Sequence, residues 1–127
     1  MIAPVAAVAM VVILGALAVF QIALIAGAPL GHFAWGGAHR VLPRKLRVGS
    51  LVSIVLYALI AFVLLERESV LNLLSLPAVE RVAAWVVTAY FVIGIVMNAI
   101  SRSRPERFVM TPVVLVLAVL SLLVALG

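Results

Sequence analysis

The side chains that could do chemistry in this chain are few, and most of them crowd one stretch. Gly31 to Arg47, "GHFAWGGAHRVLPRKLR", holds both histidines, Trp35, a Gly-Gly pair and the cations Arg40, Arg44, Lys45 and Arg47. His32 and His39 are seven residues apart, which would share one face of a helix. Gly36 and Gly37 interrupt any such helix, and Pro29 and Pro43 bracket it. Two histidines with no Cys, Asp or Glu in the same loop make a poor metal site. We therefore expect no metal and no cofactor, with the histidines sitting among lipid headgroups. Two amides lie in apolar surroundings, Gln21 and Asn98. An amide in hydrocarbon seeks a partner on another helix, or it lines a small cavity. If a ligand binds, the expected set is Gln21, His32, Trp35, His39, Arg40 and Asn98. Trp35 and Phe33 also suit the aromatic belt at headgroup depth.

No nucleophile–base pair, HExxH or P-loop is present, so no enzyme and no catalytic residue are expected. Nor does any span hold an acidic or basic residue at its centre, as proton-coupled exporters do. Small multidrug exporters are four-helix chains of about this length that depend on a glutamate within helix one. Here that helix offers only Gln21. Tyr57, Thr88 and Tyr90 are isolated and read as structural, and Glu66 lies at a helix end.

The elements that must position these groups follow from composition. The chain has 127 residues, 68% hydrophobic and 10% charged, with no cysteine and no aspartate. Four apolar runs are evident, expected as helices over about 3–27, 48–65, 82–100 and 104–126, with loops at 28–47 and 101–107. Eighteen residues at ~1.5 Å each span roughly the hydrocarbon thickness. Backbone groups in lipid must be satisfied internally, so the runs are helices, and they do not alternate as barrel strands would. The expected class is all-α: a single polytopic membrane domain, an antiparallel four-helix bundle. The first run lacks the basic flank and short apolar core of a cleaved signal, so it reads as a retained helix.

Loop one carries Arg40, Arg44, Lys45 and Arg47, and loop three Arg102, Arg104 and Arg107; loop two has only Arg67 and Arg81, beside Glu66, Glu68 and Glu80. The bias predicts cytoplasmic loops one and three and both termini outside. The net charge of +5 is thereby explained by topology and anionic headgroups, so the partners expected are membrane lipids, a homo-oligomer or a larger membrane complex, and not nucleic acid.

Helix ends carry signals of their own. "SRPE" at Ser103 to Glu106 reads as a capping box, with Pro105 in the first turn. Pro112 then falls inside helix four and should kink it; the competing reading makes Thr111 the cap of a shorter helix. Ser75, Pro77 and Glu80 look like another start, and the apolar "VLNLLSL" before them could lie in the interface. "LPRKLRVGSLV" at Leu42 parallels "RPERFVMTPVV" at Arg104, which suggests a duplicated hairpin with roughly fifteen extra residues in loop one, from about Ala26 to Arg40. Small-xxx-small pairs at Ala23/Gly27, Gly27/Gly31 and Gly49/Ser53 predict close backbone approach around loop one. That loop is therefore expected to be an ordered cap pressed on helix ends, near Gln21 and Asn98.

"GHFAWGGAHRVLP" together with "MNAISRSRPERFVMTP" resembles small bacterial four-helix membrane proteins of unknown function, which share a His/Trp/Gly-Gly first loop followed by Leu-Pro and an Asn–Ser–Arg–Pro passage after helix three. The resemblance implies a bacterial inner-membrane protein and carries no activity and no functional residue across. The expected role is non-enzymatic: binding a lipid or small amphiphile at the cytoplasmic face, or serving as an accessory subunit. The alternative is a homo-oligomeric transporter of a neutral or hydrophobic solute.

Overall fold

A computed structural model describes residues 2–69, 73 and 76–127. Four long helices make up the described chain: α1 (Ile2–Ile25), α2 (Arg44–Arg67), α3 (Pro77–Ala99) and α4. Helix α4 opens with a wide π-helical turn at Glu106–Met110 and continues as an α-helix over Thr111–Leu126. Each of the four is long and apolar enough to cross a membrane.

The helices form a four-membered ring. α1 packs on α2 and α4, and α3 packs on α4 and α2; the seam between α2 and α3 is thinner than those within the two hairpins. One end of the ring is tightly filled. Ala7, Met10 and Leu14 of α1 cluster with Leu64 of α2, Phe91 of α3, and Leu117 and Val124 of α4. Alanines at 6, 7 and 118 let the backbones approach closely there, which is how helices associate when lipid removes the hydrophobic drive between them. Outward faces are as apolar as inward ones: Val12, Val19, Val86, Ile93 and Phe108 are all more than 45% exposed. Water would not tolerate apolar surface so continuous, and this is a multi-pass membrane protein.

Prolines set two helix starts earlier than the apolar runs suggested. Pro43 takes an extended conformation and caps α2, so the charged turn Arg44–Arg47 is already helical. Pro77 opens α3, and Glu80 reaches back to accept the Leu76 amide at 2.8 Å. The expected cap at Ser75 and most of the interfacial segment 70–76 lie outside the described residues.

Two C-terminal ends are closed by arginines, where positive charge suits the helix dipole. Arg47 donates through Nε to the Leu42 carbonyl at 2.8 Å and through Nη1 to the Ile25 carbonyl at 3.3 Å, tying the end of α1 to the start of α2. Arg67 Nη2 donates to the Ala125 carbonyl of α4 at 3.3 Å. These cations stabilise the fold directly, besides any effect on topology.

The capping box expected at Ser103 to Glu106 does not form. Ser101 Oγ accepts the Ser103 amide at 3.2 Å, so that donor is already satisfied. The Ser103 hydroxyl donates to the His32 carbonyl in loop one, and Glu106 turns inward. Pro112 is accommodated within a continuous helix: Thr111 has helical φ −59° and ψ −49°, so it starts no second helix. The π turn lies directly before Pro112, where the missing N–H and the ring would disturb regular α-helical bonding.

Candidate functional site: a cavity under the loop-one cap

Loop one, between α1 and α2, is folded throughout. Gly27 at φ +96° ends α1 in a conformation that suits glycine, with the Arg47 guanidinium packed beside it. The Gly31 amide donates to the Arg40 carbonyl at 2.8 Å and closes the loop on itself. A side chain at Gly31 would collide with the carbonyls of His39 and Arg40. Between these closures run two short 3₁₀ turns, Gly31–Phe33 and Trp35–Gly37. Gly36 and Gly37 take φ of +77° and +72°, the conformation for which their type was suited. Leu24, Ala34 and Leu42 form a small core beneath the loop.

Trp35 is the centrepiece of this cap. It sits at φ +53°, a conformation that costs a non-glycine residue about 1 kcal/mol or more and persists only where surrounding contacts hold it. Two contacts do so. Its indole lies on Gly49 of α2, where an added Cβ would stand 2.9 Å from the ring carbons. Its Nε1 donates to Ser50 Oγ at 3.2 Å. Gly49 therefore accepts an indole from the cap, and Gly31 accepts the backbone of its own loop.

Below the indole the bundle is hollow. A cavity of about 570 Å³ and a smaller lobe of about 190 Å³ share the walls Leu17, Trp35, Tyr57, Asn98, Glu106 and Val114. The small lobe extends toward Phe20, Gln21 and Phe33. The large lobe extends along Tyr90, Phe91 and Gly94 to Leu46, Ile93 and Met97, on the thin α2–α3 seam. Ile93 and Met97 are 63% and 62% exposed, so this lobe opens sideways on the flank of the bundle.

The polar groups of the cavity are arranged unevenly. Glu106 is only 8% exposed, and its Oε2 accepts the Ser101 hydroxyl at 2.9 Å. Gln21, equally buried, donates through Nε2 to Tyr57 Oη on α2 at 3.2 Å, while its Oε1 has no partner. Asn98 bonds within its own helix, Nδ2 to the Gly94 carbonyl at 2.9 Å. Trp35 Nε1 is already committed to Ser50. The unsatisfied capacity is thus mostly acceptor. The basic side chains stay outside the cavity: Arg40, Arg44, Lys45, Arg102 and Arg104 are exposed. Arg107 spends its Nη1 on the Ser101 carbonyl at 3.1 Å and lies over Phe108, 5.0 Å from the ring centroid.

Of the residues singled out from sequence, Gln21, Trp35 and Asn98 come together in the cavity wall. His32, His39 and Arg40 do not line it. They build the cap through backbone: the His32 carbonyl takes the Ser103 hydroxyl, and the carbonyls of His39 and Arg40 pack on Gly31. The expected bond of an amide to a neighbouring helix holds for Gln21 and not for Asn98. Sequence reasoning missed Tyr57, which is the partner of Gln21, and Glu106, the cavity's carboxylate. A signal for Glu106 was present: it is the one acid in a loop of arginines. Among the described residues no three His, Cys, Asp or Glu side chains gather as a metal site.

No protein-family model, no curated protein and no solved structure matches this chain.

Proposed function

We propose that this protein binds a membrane amphiphile in the cavity beneath the loop-one cap, taking it in sideways between α2 and α3. The observation that carries this reading is the lateral cavity itself: apolar and aromatic walls, a polar end at Gln21, Glu106 and Ser101, and an apolar mouth at Leu46, Ile93 and Met97. Pockets for small ligands share that make-up of mostly apolar lining with a few placed polar groups. The role proposed is one of binding and not of catalysis. A homo-oligomeric transporter draws less support, because Gln21 is engaged inside the chain with Tyr57 and not on a seam between copies. Native mass spectrometry of the full chain from mild detergent tests the binding. One amphiphile retained per chain is expected; a chain that always arrives bare contradicts it.

The Lys/Arg bias of loops one and three supports a cytoplasmic position for them and for the cavity, with both termini outside; the membrane we propose is a bacterial inner membrane. The exposed cations Arg40, Arg44 and Lys45 then face the anionic headgroups of that leaflet. The chain has no cysteine, so single replacements report topology cleanly. In intact cells, Leu76→Cys should react with an impermeant maleimide and Ala38→Cys should react only after permeabilisation. The reverse pattern would invert the orientation.

A further inference from the structure

We infer that the headgroup held in this cavity is a cation, an ammonium carried on an apolar tail. The inference rests on the reading that the cavity binds an amphiphile, and it names the chemistry of that ligand.

Glu106 is the starting point. A carboxylate can accept about four hydrogen bonds; the Glu106 side chain, only 8% exposed, receives one, from the Ser101 hydroxyl. Buried carboxylates are costly unless a charge or several donors compensate them. Arg107, one residue on, donates through Nη1 to the Ser101 carbonyl and lies over the Phe108 ring. The cavity wall thus carries a carboxyl group that forms no ion pair with a cationic side chain of the described residues.

Two further observations point the same way. Gln21, itself 8% exposed, has its Oε1 buried without a partner, and Gln21 lines the lobe that Glu106 also lines. The walls between them carry the rings of Trp35 and Tyr57, with Tyr90 and Phe91 in the larger lobe. Ring faces attract cations, and aromatic walls are the usual recognition surface for ammonium groups. An anionic headgroup would meet Glu106 as a like charge. A neutral one would leave the carboxylate uncompensated. The π turn at Glu106–Met110 places Glu106 inside the bundle at its first helical residues, and such turns are frequent at functional sites. The apolar mouth at Leu46, Ile93 and Met97 leaves the tail among lipid chains.

The source of the ammonium is either a free cationic amphiphile or the headgroup of an aminophospholipid, and one experiment separates them. The full-length chain carrying Trp85→Phe, so that Trp35 is the sole reporter, is placed in nanodiscs of an uncharged galactolipid that contains no ammonium. Three probes with the same brominated chain are titrated: a trimethylammonium, a maltoside and a sulfate. The trimethylammonium should quench Trp35 with an affinity about tenfold above that of the maltoside, the scale of a desolvated contact between a cation and a ring face, and the sulfate should bind most weakly. Glu106→Gln should remove the preference, bringing the trimethylammonium down to the affinity of the maltoside. Equal affinity of trimethylammonium and maltoside in the unsubstituted site overturns the inference, whether or not the variant folds. So does a preference that survives in Glu106→Gln. Quenching by none of the probes would instead defeat the amphiphile-binding reading beneath it. Added phosphatidylethanolamine that competes with the trimethylammonium assigns the ammonium to a lipid headgroup; binding without competition assigns it to a free amphiphile.

Discussion

Gly31→Ala is expected to destabilise the protein by about 3 kcal/mol, at the upper end of the usual cost of overpacking. The added methyl would occupy the space of the His39 and Arg40 carbonyls, and these are backbone atoms that cannot swing aside. Relief requires opening the Gly31–Arg40 hydrogen bond that closes loop one. The cap should loosen as a unit, releasing the His32 carbonyl from Ser103 and Trp35 from Gly49. Gly15→Ala supplies the internal control. Nothing lies within 4 Å of a Cβ built there, and the residue is inside α1, so alanine should be neutral or add up to about 1 kcal/mol of stability. Thermal melting in one detergent compares the two. Equal melting temperatures would mean that loop one is not held as described.

Trp35→Ala should abolish retention of the amphiphile and lower stability by about 2 kcal/mol. Full truncation of a buried tryptophan costs about 3–5 kcal/mol, and the lower figure reflects a residue still 41% exposed. The substitution removes a wall shared by both lobes of the cavity and uncovers Gly49. Trp35→Phe keeps a ring and loses the bond to Ser50 Oγ, worth about 1 kcal/mol, so it should keep most of the retention. His39→Ala removes an exposed side chain outside the cavity wall; it should stay within about 0.5 kcal/mol of the parent and retain ligand fully. Loss of ligand in His39→Ala with the melting temperature unchanged would move the site from the cavity to the loop surface.

Some of this arrangement was legible in the sequence and some was not. The four spans were, because lipid forces every backbone group into a helix and leaves an uninterrupted apolar run as the trace. Gly36 and Gly37 were legible as turn residues for the same local reason, and Gln21 as an amide that must find a partner across helices. Glu106 was misread because "SRPE" satisfies a local capping rule, while the real geometry depends on Ser101 taking the Ser103 amide first. Tyr57 looked isolated because its partner is on another helix, 36 positions away in the chain. Gly49 looked like a helix–helix contact; that it accepts the indole of Trp35 depends on the path of a loop whose course no short pattern specifies. The added length of loop one reads as an insertion within one of two similar hairpins. Its use, as the roof of a cavity, appears only when the chain is folded.

If an amphiphile occupies the hollow under this roof, filling the hollow should exclude it. Leu17 lines both lobes. Leu17→Trp adds bulk to the middle of the cavity without altering charge, the cap, or any hydrogen bond of Gln21, Trp35 or Glu106. Native mass spectra of the two proteins, purified side by side, would be read together with their melting temperatures. The account predicts that the parent carries one amphiphile per chain and that Leu17→Trp arrives bare while melting no lower. A Leu17→Trp protein that melts like the parent and still carries its amphiphile would contradict it.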